Sequence, residues 1–107
     1  MTATYCMILT TTDQPGEAEK LAKQLVQKQL AACVQVFPIT STYRWEDGLV
    51  TEPEWMLIIK TRSELYQKIE EFLLEKHSYE TPEILQIPIS QGSENYLAWL
   101  KTNTLPG

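Results

Sequence analysis

The chain has 107 residues with 43% hydrophobic and 21% charged residues, which is typical of one globular domain spanning residues 1–107. Its net charge of −5 and its lack of a basic cluster argue against a nucleic-acid interface and against binding to an anionic membrane. No apolar run approaches the roughly 20 residues of a membrane span, and no signal peptide is evident. The two cysteines are too few for a disulfide scaffold. We therefore expect a reduced, cytoplasmic protein.

The first part of the chain predicts a strand, a helix and a second strand. Residues 4–10, TYCMILT, are apolar at consecutive positions, which favours a strand buried on both faces. Thr12 or Asp13 is the expected N-cap of the next helix. That helix should bury the apolar stripe formed by Ala18, Leu21, Ala22, Leu25 and Val26. The segment 31–37 predicts a second strand, and Pro38 indicates a bulge or an edge position because it lacks a ladder donor.

The middle of the chain predicts a long β-hairpin and a second helix. The strand resumes over 40–46, Asp47–Gly48 is a strong turn signal, and the return strand covers 49–61. Thr61 and Glu64 fit a T-x-x-E capping box. One face of the helix that follows should carry Leu65, Ile69, Phe72, Leu73 and Lys76.

The last part of the chain completes a recognisable order of elements. A strand is expected over 83–89, and a short helix over 92–102 should turn Tyr96, Leu97 and Leu100 inward. The order β-α-β-β-α-β with an extra C-terminal helix is the ferredoxin-like α+β pattern, in which the helices cover one face of the sheet. The first and third strands are nevertheless apolar on both faces, so we expect another copy of the chain to cover the second face in a homo-oligomer.

Several activities of this fold are disfavoured by the sequence. The first strand-to-helix loop, TTTDQPG, has neither a C-x-x-C metal motif nor the arginine of an anion-cradling loop, which argues against a copper chaperone and an acylphosphatase. The basic residues that surround the RNA-binding strands of this fold are also missing from the sequence. Nothing in the local sequence marks Cys6 or Cys33 as an activated nucleophile, and two strand spacings of about 9–10 Å would keep these two cysteines from forming a disulfide.

The stretch EKHSYETPEIL contains the only histidine, His77, close to Glu80 and Glu83. A neutral imidazole suits copper or zinc, and Cys33 would be a soft copper ligand. The alternative for His77 is a helix C-terminal residue that the helix dipole favours. The alternative for Cys33 is a small buried strand residue. An acid/base pair would need Glu80 and Glu83 in one shared pocket, but Pro82 excludes the regular helix that would align them with His77. The alternative for the two glutamates is a solvated or ion-paired position at an interface.

Four separated blocks of the sequence carry a family resemblance: LAACVQVFPITSTYRWEDGLV, EWMLIIKT, HSYETPEILQIPI and YLAWL. Together they resemble the CutA family, named for divalent-cation tolerance, from about Thr10 to Leu100. The resemblance implies a ferredoxin-like subunit in a tight homotrimer that binds copper or other divalent cations, with no established catalytic reaction. Ser78 and Thr81 depart from the family's usual H-P-Y-E-x-P-E segment, but neither change removes a metal donor.

The resemblance and the donor set together define the candidate residues. The expected metal ligands for copper or zinc are His77, Cys33, Glu80 and Glu83, with donors from neighbouring subunits. The trimer also resembles PII signalling proteins by fold, which suggests as an alternative a small anionic metabolite bound in a cleft between subunits. The residues expected near that cleft are Lys60, Tyr79, Trp45 and Tyr43. A trimeric scaffold is a third interpretation, and in each case the predicted partner is the chain itself.

Overall fold

A computed structural model describes residues 3–106 of the chain. The strands are β1 (Tyr5–Thr12), β2 (Cys33–Trp45), β3 (Gly48–Arg62) and β4 (Leu85–Ile89), and the helices are α1 (Pro15–Gln27), α2 (Tyr66–Lys76) and α3 (Glu94–Thr102). The strands form an antiparallel sheet in the order β2-β3-β1-β4. This is the ferredoxin-like α+β arrangement with an extra C-terminal helix, so the predicted fold is confirmed. Within the described chain no helix is both long and apolar enough to cross a membrane.

The β2–β3 hairpin is longer than the rest of the sheet. It pairs without interruption from Cys33↔Lys60 to Trp45↔Gly48, whereas β1 pairs only with residues 55–62 of β3. Residues 39–45 and 48–54 therefore form a two-stranded extension, which we call the hairpin arm. The arm gives the subunit its elongated shape, with principal extents of 45 × 27 × 22 Å.

The turn of this hairpin lies one residue earlier than the sequence signal indicates. Because Trp45 pairs with Gly48, the two loop residues are Glu46 and Asp47, and the predicted Asp47–Gly48 turn is wrong by one position. Glu46 adopts a φ of 55°, the left-handed region that a tight two-residue hairpin loop requires. Gly48 is instead the first residue of β3, because the ladder continues to the end of β2.

Pro38 lies within β2 without a bulge, opposite Trp55, and β2 is an edge strand. The edge position predicted for this proline is therefore confirmed, and the bulge is not formed. Antiparallel pairs alternate between hydrogen-bonded and non-hydrogen-bonded types, and an unbroken ladder places a proline in the second type. The nitrogen of Pro38 consequently faces the free edge, and the same reasoning applies to Pro53 opposite Thr40.

Helices α1 and α2 cover one face of the sheet and enclose a single core. The core is formed by Cys6, Ile8, Ala18, Leu21, Leu25, Leu30, Ala31, Leu57, Ile59, Leu65, Ile69, Phe72 and Leu73. The stripe predicted for α2 is buried apart from Lys76, whose amine remains solvated. In α1 the predicted burial of Val26 is wrong, because the residue lies past Leu25 on the solvent side of the helix.

The N-cap of α1 differs from the prediction of Thr12 or Asp13. Gln14 occupies the N-cap position, and its side chain makes no capping hydrogen bond. Thr12 remains in β1, where its hydroxyl accepts a hydrogen bond from the Gln14 N–H (3.3 Å) and donates one to Glu17. The threonine therefore supports the helix start from the preceding strand.

The T-x-x-E capping box predicted for α2 is also absent from the structure. A short 3₁₀ turn, Ser63–Leu65, precedes the helix. The Thr61 hydroxyl donates to the Leu30 carbonyl at 2.6 Å, and Glu64 accepts a hydrogen bond from Arg62 at 2.6 Å. Both side chains have partners elsewhere, so neither caps α2.

Helix α3 lies against the second face of the sheet at one end. Lys60 and Arg62 alternate with the core residues of β3, so they point away from α1 and α2. The Lys60 amine lies 5.7 Å from the Tyr96 ring centroid, and Arg62 Nε donates to Thr104 Oγ1 at 2.9 Å. The expectation that helices cover only one face is wrong for α3. Leu100 of α3 is buried, but Tyr96 is 40% exposed, so its predicted inward position is wrong.

The remainder of the second face is apolar and incompletely covered by the described residues. Strand alternation and register place on it Met7, Leu9, Phe37, Met56, Ile58, Leu85 and Ile87. We call these seven side chains the open face. Each of them is half-buried or exposed, as predicted from the two-sided apolar strands.

Candidate functional site

His77 ends α2 and ties the chain after it to β1. Its backbone is extended at the C-cap position, and its side chain is buried. Nε2 lies 2.8 Å from the Thr11 carbonyl oxygen, and Nδ1 accepts a hydrogen bond from the Tyr79 N–H at 3.0 Å. These partners define a neutral ring with its proton on Nε2. Both ring nitrogens are thus engaged, and a metal would have to displace one of these hydrogen bonds.

Glu17 of α1 holds the residue after His77. Its Oε2 accepts from the Ser78 N–H at 2.8 Å, its Oε1 accepts from the Ser78 hydroxyl at 2.8 Å, and Thr12 adds a third donor. Burial alone would raise the pKa of Glu17, but the hydrogen bonds outweigh it, so the pKa lies below its ordinary value. This carboxylate fixes the start of the turn that leads to β4.

Tyr79 extends from the same turn to the base of the hairpin arm. Its hydroxyl donates to Glu54 Oε2 at 2.7 Å, and its ring lies 4.9 Å from the His77 ring. Burial, together with the hydrogen bond to Glu54, raises the pKa of Tyr79. Glu54 is only 6% exposed, and none of the ion pairs among residues 3–106 includes it.

A groove with a volume of about 780 Å³ opens between this turn and the hairpin arm. Its charged lining residues are Asp13, Arg44, Glu52, Glu54, Glu80 and Glu83. Five of these six side chains are carboxylates, so the groove carries a negative potential. We call it the acidic groove.

Aromatic side chains contribute to the same lining. Tyr43, Trp45 and Tyr79 border the acidic groove, and Trp45 is 63% exposed. The Tyr43 hydroxyl donates to Glu52 Oε1 at 2.6 Å, and this hydrogen bond raises the pKa of Tyr43 to about 12. The groove therefore combines carboxylates with the faces of aromatic rings.

The structure brings most of the predicted site residues to the acidic groove. Those in its lining are Glu80, Glu83, Tyr79, Tyr43 and Trp45. His77 lies behind the groove, bonded to Tyr79. Cys33 and Lys60 are opposite each other in the β2–β3 ladder, and six residues along β3 separate Lys60 from Glu54, a distance of about 20 Å.

The predicted metal ligands are therefore not gathered within one subunit. Across residues 3–106 no group of three or more His, Cys, Asp or Glu side chains is arranged to hold a metal ion. A site that uses Cys33 together with Glu80 or Glu83 needs donors from a second copy of the chain. The two cysteines are both free thiols.

Five charged residues of the site were not identified from sequence: Asp13, Glu17, Arg44, Glu52 and Glu54. Glu54 could have been found from the sequence, because Glu52 and Glu54 are two residues apart in a predicted strand and therefore place two carboxylates on one face of it. Glu17 carried none, because its partner Ser78 is 61 residues away. Asp13 gave only the helix-cap signal discussed above.

Comparison with known sequences identifies relatives over almost the whole chain. Residues 6–103 match the family model described as CutA1 divalent ion tolerance protein. The chain is similar to the divalent-cation tolerance protein CutA of Thermus thermophilus, with 39% identity over 99 residues that cover 92% of this chain and 96% of that protein. It is also similar to the chloroplastic protein CutA of Arabidopsis thaliana, with 40% identity over 99 residues that cover 92% of this chain and 54% of that protein.

Solved structures show the same fold. The crystal structure of CutA1 from Oryza sativa superposes with a TM-score of 0.95 at 36% identity, covering 99% of this chain and 98% of that one. The periplasmic divalent cation tolerance protein CutA from Archaeoglobus fulgidus gives a TM-score of 0.90 at 39% identity, covering 92% of this chain and 97% of that one. Since relatives are described as periplasmic and as chloroplastic, a cytoplasmic location for this chain stays a prediction.

Proposed function

Because the chain belongs to the CutA1 divalent ion tolerance family, we propose that it is a non-catalytic, homotrimeric protein of the divalent-cation response. The observation that carries this proposal is the acidic groove, in which five carboxylates are accompanied by one arginine. Such a lining attracts cations and repels anions. Carboxylate oxygens are also common ligands of divalent ions.

The proposed assembly is supported by the open face. Its seven apolar side chains are half-buried or exposed in a single subunit, and burying apolar surface contributes about 25 cal/mol per Å². A second copy presents the same apolar surface, which makes self-association the simplest way to cover it. The number of three subunits comes from the family resemblance.

In this proposal Glu80 and Glu83 supply the first cation ligands from the groove. Cys33 belongs to the same side of the sheet as the open face and is half-buried, so a neighbouring subunit can approach its thiol. Cys33 would favour copper or zinc over harder ions. Within one subunit these donors do not form a closed site, which is why the proposal requires the assembly.

His77 has two possible parts in this function. As a ligand it must give up its bond to Thr11 or to Tyr79; with both bonds kept, it positions the turn that carries Glu80 and Glu83. Substituting His77 by alanine distinguishes the two. A lost site would support ligation, and a site that is retained with weaker affinity would support positioning.

Isothermal titration with Cu²⁺ and Zn²⁺ tests the proposal. The variant Glu80→Gln/Glu83→Gln should bind at least tenfold more weakly than the native protein. The matched control, Glu71→Gln/Glu94→Gln, removes the same charge from exposed helical positions outside the groove and should bind as the native protein does. Equal affinity in all three proteins would contradict the assignment, and a stable monomer in sedimentation at micromolar concentration would contradict the assembly.

A small anionic metabolite is the alternative that the PII resemblance suggests. Within one subunit the acidic lining disfavours it, and Lys60 lies about 20 Å along β3 from Glu54 at the base of the arm. A thermal-shift screen decides between the two functions. A melting temperature that rises with nucleotides or carboxylates and ignores divalent metals would replace our proposal.

A further inference from the structure

Charge is distributed unevenly along the side of the sheet that carries the open face. Strand alternation and register place four charged residues of the sheet on this side: Glu52, Glu54, Lys60 and Arg62. The two glutamates belong to the hairpin arm, whereas the two basic residues lie at the other end of β3, beside α3. Apolar residues of the open face lie between the two pairs. This side of the subunit is therefore negative at one end, apolar in the middle and positive at the other end.

One buried acid and one half-buried base on this side have no ionic partner in the single subunit. Glu54 is 6% exposed and accepts a hydrogen bond from Tyr79. Lys60 is half-buried, with its amine 5.7 Å from the Tyr96 ring centroid. The ion pairs of the described residues include neither Glu54 nor Lys60, whereas Arg62 already forms one. Because removing a charge from water is costly unless an opposite charge compensates it, Glu54 and Lys60 would each gain from an ionic partner.

Glu54 and Lys60 cannot compensate each other within one subunit. Six residues along β3 separate them, a distance of about 20 Å, which exceeds the combined reach of the two side chains. A second copy that covers the open face with its ends reversed would instead place its positive end against the negative end of the first. The opposite orientation would bring like charges together, which is unfavourable. The charge pattern is thus self-complementary, as an interface between identical subunits requires.

We propose that Lys60 of one subunit forms an ion pair with Glu54 of its neighbour, and that the acidic groove is a contact between copies of the chain. This inference rests on the assembly in the proposed function. In a closed ring each subunit offers its groove to one neighbour and its Lys60 to the other. Cys33 lies opposite Lys60 in the ladder, so the same contact carries the neighbour's thiol towards the groove that Glu80 and Glu83 line. Donors that a single subunit does not gather would then meet at one groove.

Zero-length cross-linking tests the contact directly. A carbodiimide joins a carboxylate to an amine that touches it, with loss of one water molecule and without a spacer. Native protein treated in this way and digested should yield a peptide linked through Glu54 and Lys60, identified by mass spectrometry. Because the two residues are about 20 Å apart in one subunit, such a link joins two subunits. A dominant link from Lys60 to a carboxylate outside the groove would overturn the pairing.

A double-mutant cycle measures the energetic coupling between the two side chains. Lys60→Met and Glu54→Gln each remove one charge at similar size, and each should raise the dissociation constant of the assembly at least about tenfold, measured by sedimentation of a dilution series. The double variant should lose little more than either single variant, because the pair is already broken. The matched control, Lys68→Met/Glu71→Gln, changes exposed residues of α2 and should assemble as the native protein does.

The outcomes separate this pairing from the assembly itself. Independent losses that multiply in the double variant, or single variants that assemble as tightly as the native protein, would overturn the pairing and leave the proposed homotrimer intact. Lys60→Arg keeps the charge and should retain assembly, so equal losses for Lys60→Arg and Lys60→Met would also overturn it, whatever the behaviour of Glu54→Gln. A native protein that stays monomeric at micromolar concentration would overturn the pairing and the assembly together.

Discussion

Replacing Glu17 by glutamine should destabilise the protein at neutral pH but not in acid. The Glu17 carboxylate accepts hydrogen bonds from the Ser78 N–H, from the Ser78 hydroxyl and from Thr12, and thereby joins α1 to the turn after α2. Glutamine keeps the shape and one acceptor oxygen. It loses the negative charge that strengthens all three hydrogen bonds.

The expected loss follows from these contacts. A hydrogen bond to a charged group contributes about 1.5–3 kcal/mol when it is well buried. Glu17 is only partly buried, and glutamine retains part of the network, so we expect a total loss of about 1–2 kcal/mol after allowing for solvent screening. A loss of 1 kcal/mol lowers the melting temperature of a domain of this size by about 4–8 °C.

The pH dependence of this loss has a definite sign. Because the pKa of Glu17 in the folded protein is below the ordinary value of 4.5, the stabilisation is fully present above pH 4.5 and disappears as the pH falls through the folded value. The difference in unfolding free energy between native protein and variant should therefore shrink in the same range.

Thermal and urea unfolding at one fixed subunit concentration measure the effect, since assembly makes stability depend on concentration. Glu19→Gln is the matched control: it lies in the same helix, but its pair with Lys23 at 2.9 Å is largely exposed and screened by solvent, so its loss should change stability little. Equal losses in the two variants at pH 7 would refute the argument. A Glu17→Gln loss that persists undiminished below the folded pKa would refute it as well.

Three further predictions concern other side chains. Thr10→Val should stabilise the protein by about 1 kcal/mol in urea unfolding, because the buried Thr10 hydroxyl has no hydrogen-bond partner among the described residues; a loss of stability would mean that this hydroxyl is bonded. Glu52→Gln should lower the pKa of Tyr43 from about 12 towards the ordinary 10.0 in a spectrophotometric titration, and an unchanged pKa would show that Glu52 is not its cause. His77→Phe should cost about 2–3 kcal/mol, since it leaves the Thr11 carbonyl without its hydrogen-bond donor, whereas a neutral effect would mean that water replaces the ring.

Local spacing predicted the elements well. The apolar runs of β1 and β3 and the stripe of α2 depend on side-chain periods of 2 and 3.6 residues, which the sequence states directly. Leu65, Ile69, Phe72 and Leu73 are all buried as the period requires. The order of the elements then left few topologies, of which the ferredoxin-like sheet is the one observed.

Several of the failures come from contacts with residues far along the chain. Thr61 could not be recognised as the partner of the Leu30 carbonyl, 31 residues away, so it was assigned to a cap that is not formed. Cys33 and Lys60 lie opposite each other at one end of the sheet. This pairing depends on the strand register, which could not be read from the sequence. Glu54 was missed because a charged residue that becomes buried opposes the hydropathy pattern on which the prediction rested.

The prolines of the sheet have a consequence for the behaviour of the protein at high concentration. Pro38 lies on the outer strand β2, Pro53 on the part of β3 that β1 leaves uncovered, and Pro88 on the other outer strand, β4. Each free edge of the described sheet thus lacks one backbone donor, which interrupts the addition of further strands. Growth into cross-β fibres requires such a row of donors to be continuous. A chain with an apolar face exposed in the single subunit is in this way protected from open-ended aggregation along its edges.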